Sequence, residues 1–221
     1  MKKTKARKDG TRTYRVLYAL LAGLFRRIIL RVHVVNPQNE PTEGGVLVCA
    51  NHIGASDPIV LATAFRQRQI FFMAKKELFR VPLLGWLIRV LGAFPVDRSG
   101  GDVGAIKRAV AHLQGGRCMG IFPQGHRHPG VDPRETPVKK GAALIDARAK
   151  ADVLPVYIHR KGNKPRIFRK TYVVIGERIP YTEIEAMGTS SADYQKISEM
   201  IFDRICMLGE DFKKEMGDTL K

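Results

Sequence analysis

"VLVCANHIGASDPIV", residues 46–60, passes from an unbroken apolar run through a short polar loop to Asp-Pro and a second apolar run. A continuous apolar run of this length suits a strand buried on both faces, and Asp-Pro is how many helices begin, with proline at the first helical position. Strand, loop and helix in that order form the repeating unit of an α/β sheet. The pattern recurs along the chain. "IFFMA" (70–74), "CMGIF" (118–122) and "VLPVYI" (153–158) predict strands, and the stretches around 58–66, 82–91, 102–114 and 140–150 predict the helices between them. "TYVVIGERI" (171–179) predicts a further strand. Tyr194, Ile197, Ile201, Ile205, Leu208 and Phe212, recurring every three or four residues, predict an amphipathic closing helix. The expected fold is α/β: one mixed, mostly parallel sheet flanked by helices.

Before this body lies a different kind of segment. The chain has 221 residues, enough for one sizeable core, and carries 38 basic against 21 acidic residues, a formal +17. Nine of those net charges fall in the first 35 residues. The apolar run "VLYALLAGLF" (16–25) stops at Arg26 and Arg27, whereas a spanning helix needs about 20 residues. No signal-peptide cleavage pattern follows it. On a helical wheel Arg12, Arg15, Arg26, Arg27 and Arg31 share one arc, and Leu17, Leu21, Leu24, Ile28 and Val32 belong to the opposing one. Residues 1–35 are therefore expected to be a basic tail and an amphipathic helix lying on an anionic membrane surface, with 36–221 as the body. Cys49, Cys118 and Cys206 are scattered among apolar neighbours, which argues against a disulfide framework or a zinc knuckle and fits a reducing cytosol.

Two loops carry the candidate chemistry, "ANHIGASDP" (50–58) and "FPQGHRH" (122–128), and each follows a predicted strand. Ligands of open α/β sheets bind beyond the carboxyl ends of strands, so the two loops are expected on one rim. His52 and Asp57 are five apart, about 140° around a continuous helix, and must meet through a turn, which Gly54 permits. A carboxylate accepting the imidazole proton would leave the other ring nitrogen as a base. Asp57 also reads as a plain N-cap. "FPQGHRH" reads as a metal site, an anion site or a polar loop. His52, His126 and His128 form no compact ligand motif, and no G-x-S-x-G elbow supports a serine hydrolase.

The blocks taken together carry a resemblance. "NHIGASD" reads as N-H-x-x-x-x-D. "AKKELFRVPLLGWLIRVLGAFPVDR" (74–98) has K-x-E-L and a closing aromatic-x-x-D-R. "FPQGHR" matches F-P-E-G-T-R incompletely, and "LPV" (154–156) resembles a last block. Over about residues 46–156 the chain resembles the glycerophospholipid acyltransferase family, most closely its bacterial lysophosphatidic acid acyltransferases. The resemblance implies transfer of a fatty acyl group from coenzyme A or acyl carrier protein to the glycerol hydroxyl of a lysophospholipid, at the cytoplasmic face of the membrane. His52 would be the base and Asp57 its orienting partner. Lys75, Arg98 and Arg127 would hold the acceptor phosphate, and Gly125 would keep the third loop tight. No metal or redox cofactor is implied. Gln124 and His126 stand where the family usually has Glu and Thr, so an acceptor contact there is expected to differ. Glycerol-3-phosphate or a lyso-aminolipid are alternative acceptors. A nucleic-acid-binding protein, the other class that +17 suggests, is disfavoured because the basic residues do not interleave with aromatic ones in a recognition motif.

Overall fold

Seven strands form one sheet: β1 (Val32–Val35), β2 (Val46–Ala50), β3 (Ile70–Lys75), β4 (Ala93–Val96), β5 (Cys118–Ile121), β6 (Asp152–His159) and β7 (Thr171–Ile175). The computed structural model describes residues 22–97 and 102–217 together with Val16, Ala19 and Leu20. The spatial order is β1-β7-β6-β2-β5-β3-β4. Every neighbouring pair is parallel except β6 and β7. The sheet is thus mixed and mostly parallel, as the alternation predicts. Helices α1 (Asp57–Ala64), α2 (Pro82–Val90), α3 (Val103–Gln114), α4 (Gly141–Ala149), α5 (Tyr181–Glu185) and α6 (Ser191–Met216) complete the body.

Because successive strand residues point to opposite faces, each central strand feeds two cores. Leu47, Cys49, Met119 and Val153 pack with α3, α4 and α6, while Val46, Val48, Ala50, Leu154 and Val156 pack with α1. Two-sided burial explains why these strands read as unbroken apolar runs. α6 starts at a full capping box, in which the Ser190 side chain accepts from the backbone N–H of Asp193 and the Asp193 carboxylate accepts from that of Ser190.

The N-terminal boundary differs from expectation. Residues 32–35, read as the end of the tail and its helix, form β1, paired in parallel with β7. The helical winding, of π type, covers Ala22–Ile29, and Arg31 turns the chain with φ +41°. β-Branched Val32, Val34 and Val35 favour a strand, and the ladder of β7 offers them partners. The basic tail and, of the basic helical face, Arg12 and Arg15 fall outside the described residues, as do Leu17 and Leu21 of the apolar face. No helix among the described residues is long and apolar enough to cross a membrane.

One buried carboxyl group gives the fold a pH dependence. Asp146 on α4 is fully buried, and neither carboxylate oxygen meets a hydrogen-bond partner among the described residues. Burial, reinforced by the negative Asp152, pushes its carboxyl up to about 8. The unfolded value is about 3.9, so the folded protein keeps a proton that the unfolded chain releases. The stability this group contributes is whole below about pH 4 and is lost as pH rises through about 8. Denaturant titrations at about pH 5 and pH 9 should show the wild type weakening by a few kcal/mol. Asp146→Asn, neutral throughout, should lose that difference.

Candidate active site

β2 and β5 lie side by side with Cys49 opposite Ile121, so the loops that follow them leave the same rim as neighbours. Asn51 extends the β2–β6 ladder with its side chain: its Nδ2 donates to the Ile158 carbonyl (3.0 Å) and its Oδ1 accepts from the Ile158 N–H (2.7 Å). This fixes the chain direction just before His52. Asp57 then turns back. Its Oδ2 accepts from the backbone N–H groups of Ile53 (2.6 Å) and Gly54 (2.7 Å) and lies 2.8 Å from His52 Nδ1. Asp57 is therefore not the N-cap of α1. It is the first helical residue, Ser56 takes the cap position without a side-chain bond to the helix backbone, and the carboxylate serves the preceding loop. Gly54 is required for close approach rather than for a left-handed turn, since a Cβ there would lie 2.8 Å from Pro165 Cβ.

Asp57 Oδ1 accepts from an Arg160 NH at 2.7 Å, and both side chains are buried. Arg160 also donates to Ser56 Oγ (3.1 Å). The carboxylate is surrounded by donors and matched by one full positive charge, which is what a buried ionised aspartate requires. Being acceptor-only, it faces a protonated His52 Nδ1, and Nε2 is the ring nitrogen turned away from the carboxylate. The imidazole stacks on Phe122, ring centroids 4.0 Å apart at 14°.

The third block grips the His52 backbone from both sides. Gln124 Oε1 accepts from the His52 N–H (2.5 Å), and the His128 N–H donates to the His52 carbonyl (3.0 Å). Gln124 is 1% exposed, and its Nε2 donates to Thr136 Oγ1 (2.7 Å), whose own proton goes to the Pro133 carbonyl (2.6 Å). This corrects the expectation that Gln124 contacts the substrate: both ends of its amide are occupied within the protein. The same chain of bonds gives a reason for Gln rather than Glu, because a carboxylate would lack the donor that Thr136 accepts. Gly125 adopts φ +74°, and a Cβ would meet Lys139 Cγ at 3.1 Å.

A cavity of about 430 Å³ opens beside the imidazole. His52, Gly125 and His126 line it, with Phe72, Met73, Ile106 and Ile121 supplying an apolar wall. The other expected cations stand elsewhere. Arg127 is exposed on the same loop outside the lining, Lys75 is exposed and 3.8 Å from Glu77, and Arg98 falls outside the described residues. Lys139, which does line the cavity, and Arg160 were not singled out by the sequence. Among the described residues no group of His, Cys, Asp or Glu side chains has the arrangement of a metal site.

The described residues thus combine a mostly parallel α/β sheet with a buried His–Asp pair beside an apolar cavity. The sequence model of the Acyltransferase family matches residues 31–159, and the chain belongs to that family. It is an O-acyltransferase. It is 34% identical over 148 residues to the 1-acyl-sn-glycerol-3-phosphate acyltransferase of Bacillus subtilis, covering 66% of this chain and 72% of that one. To the enzyme of the same name from Streptococcus pneumoniae it is 36% identical over 148 residues, covering 64% of this chain and 54% of the other. Among solved structures it is similar to the 1-acyl-sn-glycerophosphate acyltransferase PlsC of Thermotoga maritima. The TM-score there is 0.69 and the identity 25%, over 90% of this chain and 79% of that one.

Proposed function

We propose that this enzyme moves a fatty acyl group from an acyl thioester, of coenzyme A or acyl carrier protein, to the free glycerol hydroxyl of lysophosphatidic acid, giving phosphatidic acid for phospholipid synthesis. The observation that carries the reading is the His52–Asp57 pair at the edge of an apolar cavity. A neutral hydroxyl attacks a thioester slowly unless a base takes its proton. His52 Nε2 accepts that proton as the oxygen bonds to the thioester carbonyl carbon, and Asp57 balances the imidazolium formed. Collapse of the tetrahedral adduct breaks the carbon–sulfur bond, and the departing thiolate takes the proton back from His52. The apolar wall suits a fatty acyl chain, while Lys139 on the cavity lining and Arg127, exposed on the same loop as His126, are the cations assigned to the acceptor phosphate. Nothing in this sequence of steps calls for a metal or a redox cofactor. Peripheral association with the cytoplasmic face of an anionic membrane completes the reading, because a lyso-acceptor resides there.

Purified protein offered acyl-coenzyme A and acyl carrier protein with lysophosphatidic acid, glycerol-3-phosphate and a lyso-aminolipid, with products weighed by mass spectrometry, tests donor and acceptor together. Phosphatidic acid as the main product is the expected result, and acylation of another acceptor alone would replace this reading. The acceptor site has its own test. Arg127→Glu and Lys139→Glu should raise the acceptor KM by roughly one to two orders of magnitude and leave the donor KM unchanged, since a charge-assisted contact contributes about 1.5–3 kcal/mol. An effect on the donor alone would move the phosphate site elsewhere.

A further inference from the structure

The loop "RKGNKPRIFRK", residues 160–170, joins β6 to β7 and holds six basic residues and no acidic one. It walls a second cavity of about 330 Å³, separate from the one beside His52. Arg31, Lys161, Lys164, Arg166, Arg169 and Lys170 line it, and no aspartate or glutamate is among its lining residues. A cleft lined by one sign of charge concentrates the opposite sign, so this one attracts anions. At the tip Ile167 and Phe168 are 62% and 57% exposed, an apolar pair set among cations. Phe168 is held in a left-handed conformation, φ +59°, by a hydrogen bond from its N–H to the Ile29 carbonyl (2.6 Å), and the Thr171 N–H donates to the Arg31 carbonyl (3.2 Å). The loop is thereby tied to the segment Ala22–Ile29, where Leu24 and Ile28 are also exposed.

Topology puts these features on the active-site side. β6 runs parallel to β2, so the loop leaves from the rim that carries His52. β7 runs antiparallel to β6, and β1 is parallel to β7, so β1 begins at that same rim and the segment preceding it ends there. Leu78 and Val81, in the chain leaving the carboxyl end of β3, are exposed as well.

We infer that the loop 160–170 and its basic cavity form a docking surface for the phosphate headgroups of an anionic lipid bilayer, with Ile167 and Phe168 entering the acyl boundary. Charge selects the partner: the tail at residues 1–15 is itself basic, and a second copy carries the same +17, so neither complements the cavity. The exposed apolar pair, continued by Leu24 and Ile28, favours a lipid surface over an acidic protein such as acyl carrier protein, which would need only the cations. Arg160 belongs to both places, lining this cavity and holding Asp57. The inference extends the membrane reading above, and it is tested by binding without turnover, so its failure leaves the acyltransferase reading standing.

Two variants of the full chain, Lys164→Glu/Arg166→Glu/Arg169→Glu and Ile167→Ser/Phe168→Ser, are compared with wild type by co-sedimentation. The vesicles are phosphatidylcholine with and without phosphatidylglycerol. Neutralising each cation alone forfeits about fivefold, so the charge variant should bind phosphatidylglycerol vesicles at least roughly a hundredfold more weakly. The serine variant should lose about tenfold or more on the same vesicles, from two apolar side chains withheld from the boundary. Unchanged unfolding midpoints show that all forms are folded, these side chains being exposed. Wild-type sedimentation by both variants overturns the proposal. So does a charge variant that binds vesicles normally but loses binding to acyl carrier protein, which would make the surface a protein site.

Discussion

Replacing His52 by alanine is expected to lower kcat by roughly 10²–10⁴ or more, while the unfolding midpoint and vesicle binding stay near wild type. The side chain touches the cavity and stacks on Phe122, so its loss removes the proposed base and leaves the packing around it nearly whole. Asp57→Asn is expected to be as damaging to turnover and far more damaging to stability. The carboxylate serves three donors through Oδ2 and Arg160 through Oδ1. An asparagine offers one oxygen. Turned toward Ile53 and Gly54, it points its NH₂ at the Arg160 guanidinium; turned the other way, it points NH₂ at two backbone N–H groups. Either orientation leaves donors facing donors in a buried site, and the imidazolium formed during attack has no counter-charge. Steady-state kinetics and thermal unfolding of the two variants separate these effects. Near wild-type turnover in His52→Ala would sink the mechanism. If Asp57→Asn lost stability but kept its kcat, the carboxylate would be a loop brace only.

How far the sequence could be read depended on where its contacts lie. β2, β3, β5 and β6 are interior strands, buried or half-buried on both faces along apolar runs, and each was legible to within a residue or two. β1 and β4, which were missed, are the two edges of the sheet. Each has four residues, half-buried throughout β4 and at Val34 and Val35 of β1, and β4 contains Pro95, which an edge position tolerates. The short run at 32–35 also continues an apolar stretch, so the helical period absorbed it. The His52–Asp57 pair was legible because its contact is local. Arg160 stands 103 residues from Asp57 in sequence and reaches it only because β6 pairs with β2. A basic residue just past the end of a predicted central strand was its one sign. Gln124 was misread for the opposite reason: its place in a motif suggested a ligand, whereas its hydrogen bonds show a clamp on the peptide of His52.

Arg160 is expected to prove a positioning residue, acting on the reaction through Asp57 and not by touching substrate. Arg160→Gln leaves Asp57 buried with its charge unmatched, and breaking such a pair costs about 3–5 kcal/mol. It should also lower kcat at least tenfold with both KM values unchanged, because a carboxylate free to shift no longer fixes the imidazole. Lost activity alone would not distinguish positioning from loss of fold, so the second half of the test is the double variant Asp57→Asn/Arg160→Gln. Two neutral amides facing each other remove the unmatched charge, and a large part of the lost stability should return. Activity should not return, since the imidazolium still lacks its partner. Arg160→Lys, which restores a charge without the planar fork that reaches Asp57 and Ser56 together, should fall between wild type and Arg160→Gln in both measurements. Denaturant unfolding and steady-state kinetics of wild type, Asp57→Asn, Arg160→Gln and the double variant close the cycle, with Arg160→Lys measured beside them. A double variant no more stable than Arg160→Gln would show that the arginine braces the β6–β7 loop through contacts other than Asp57. Wild-type kcat in Arg160→Gln would remove it from the reaction altogether.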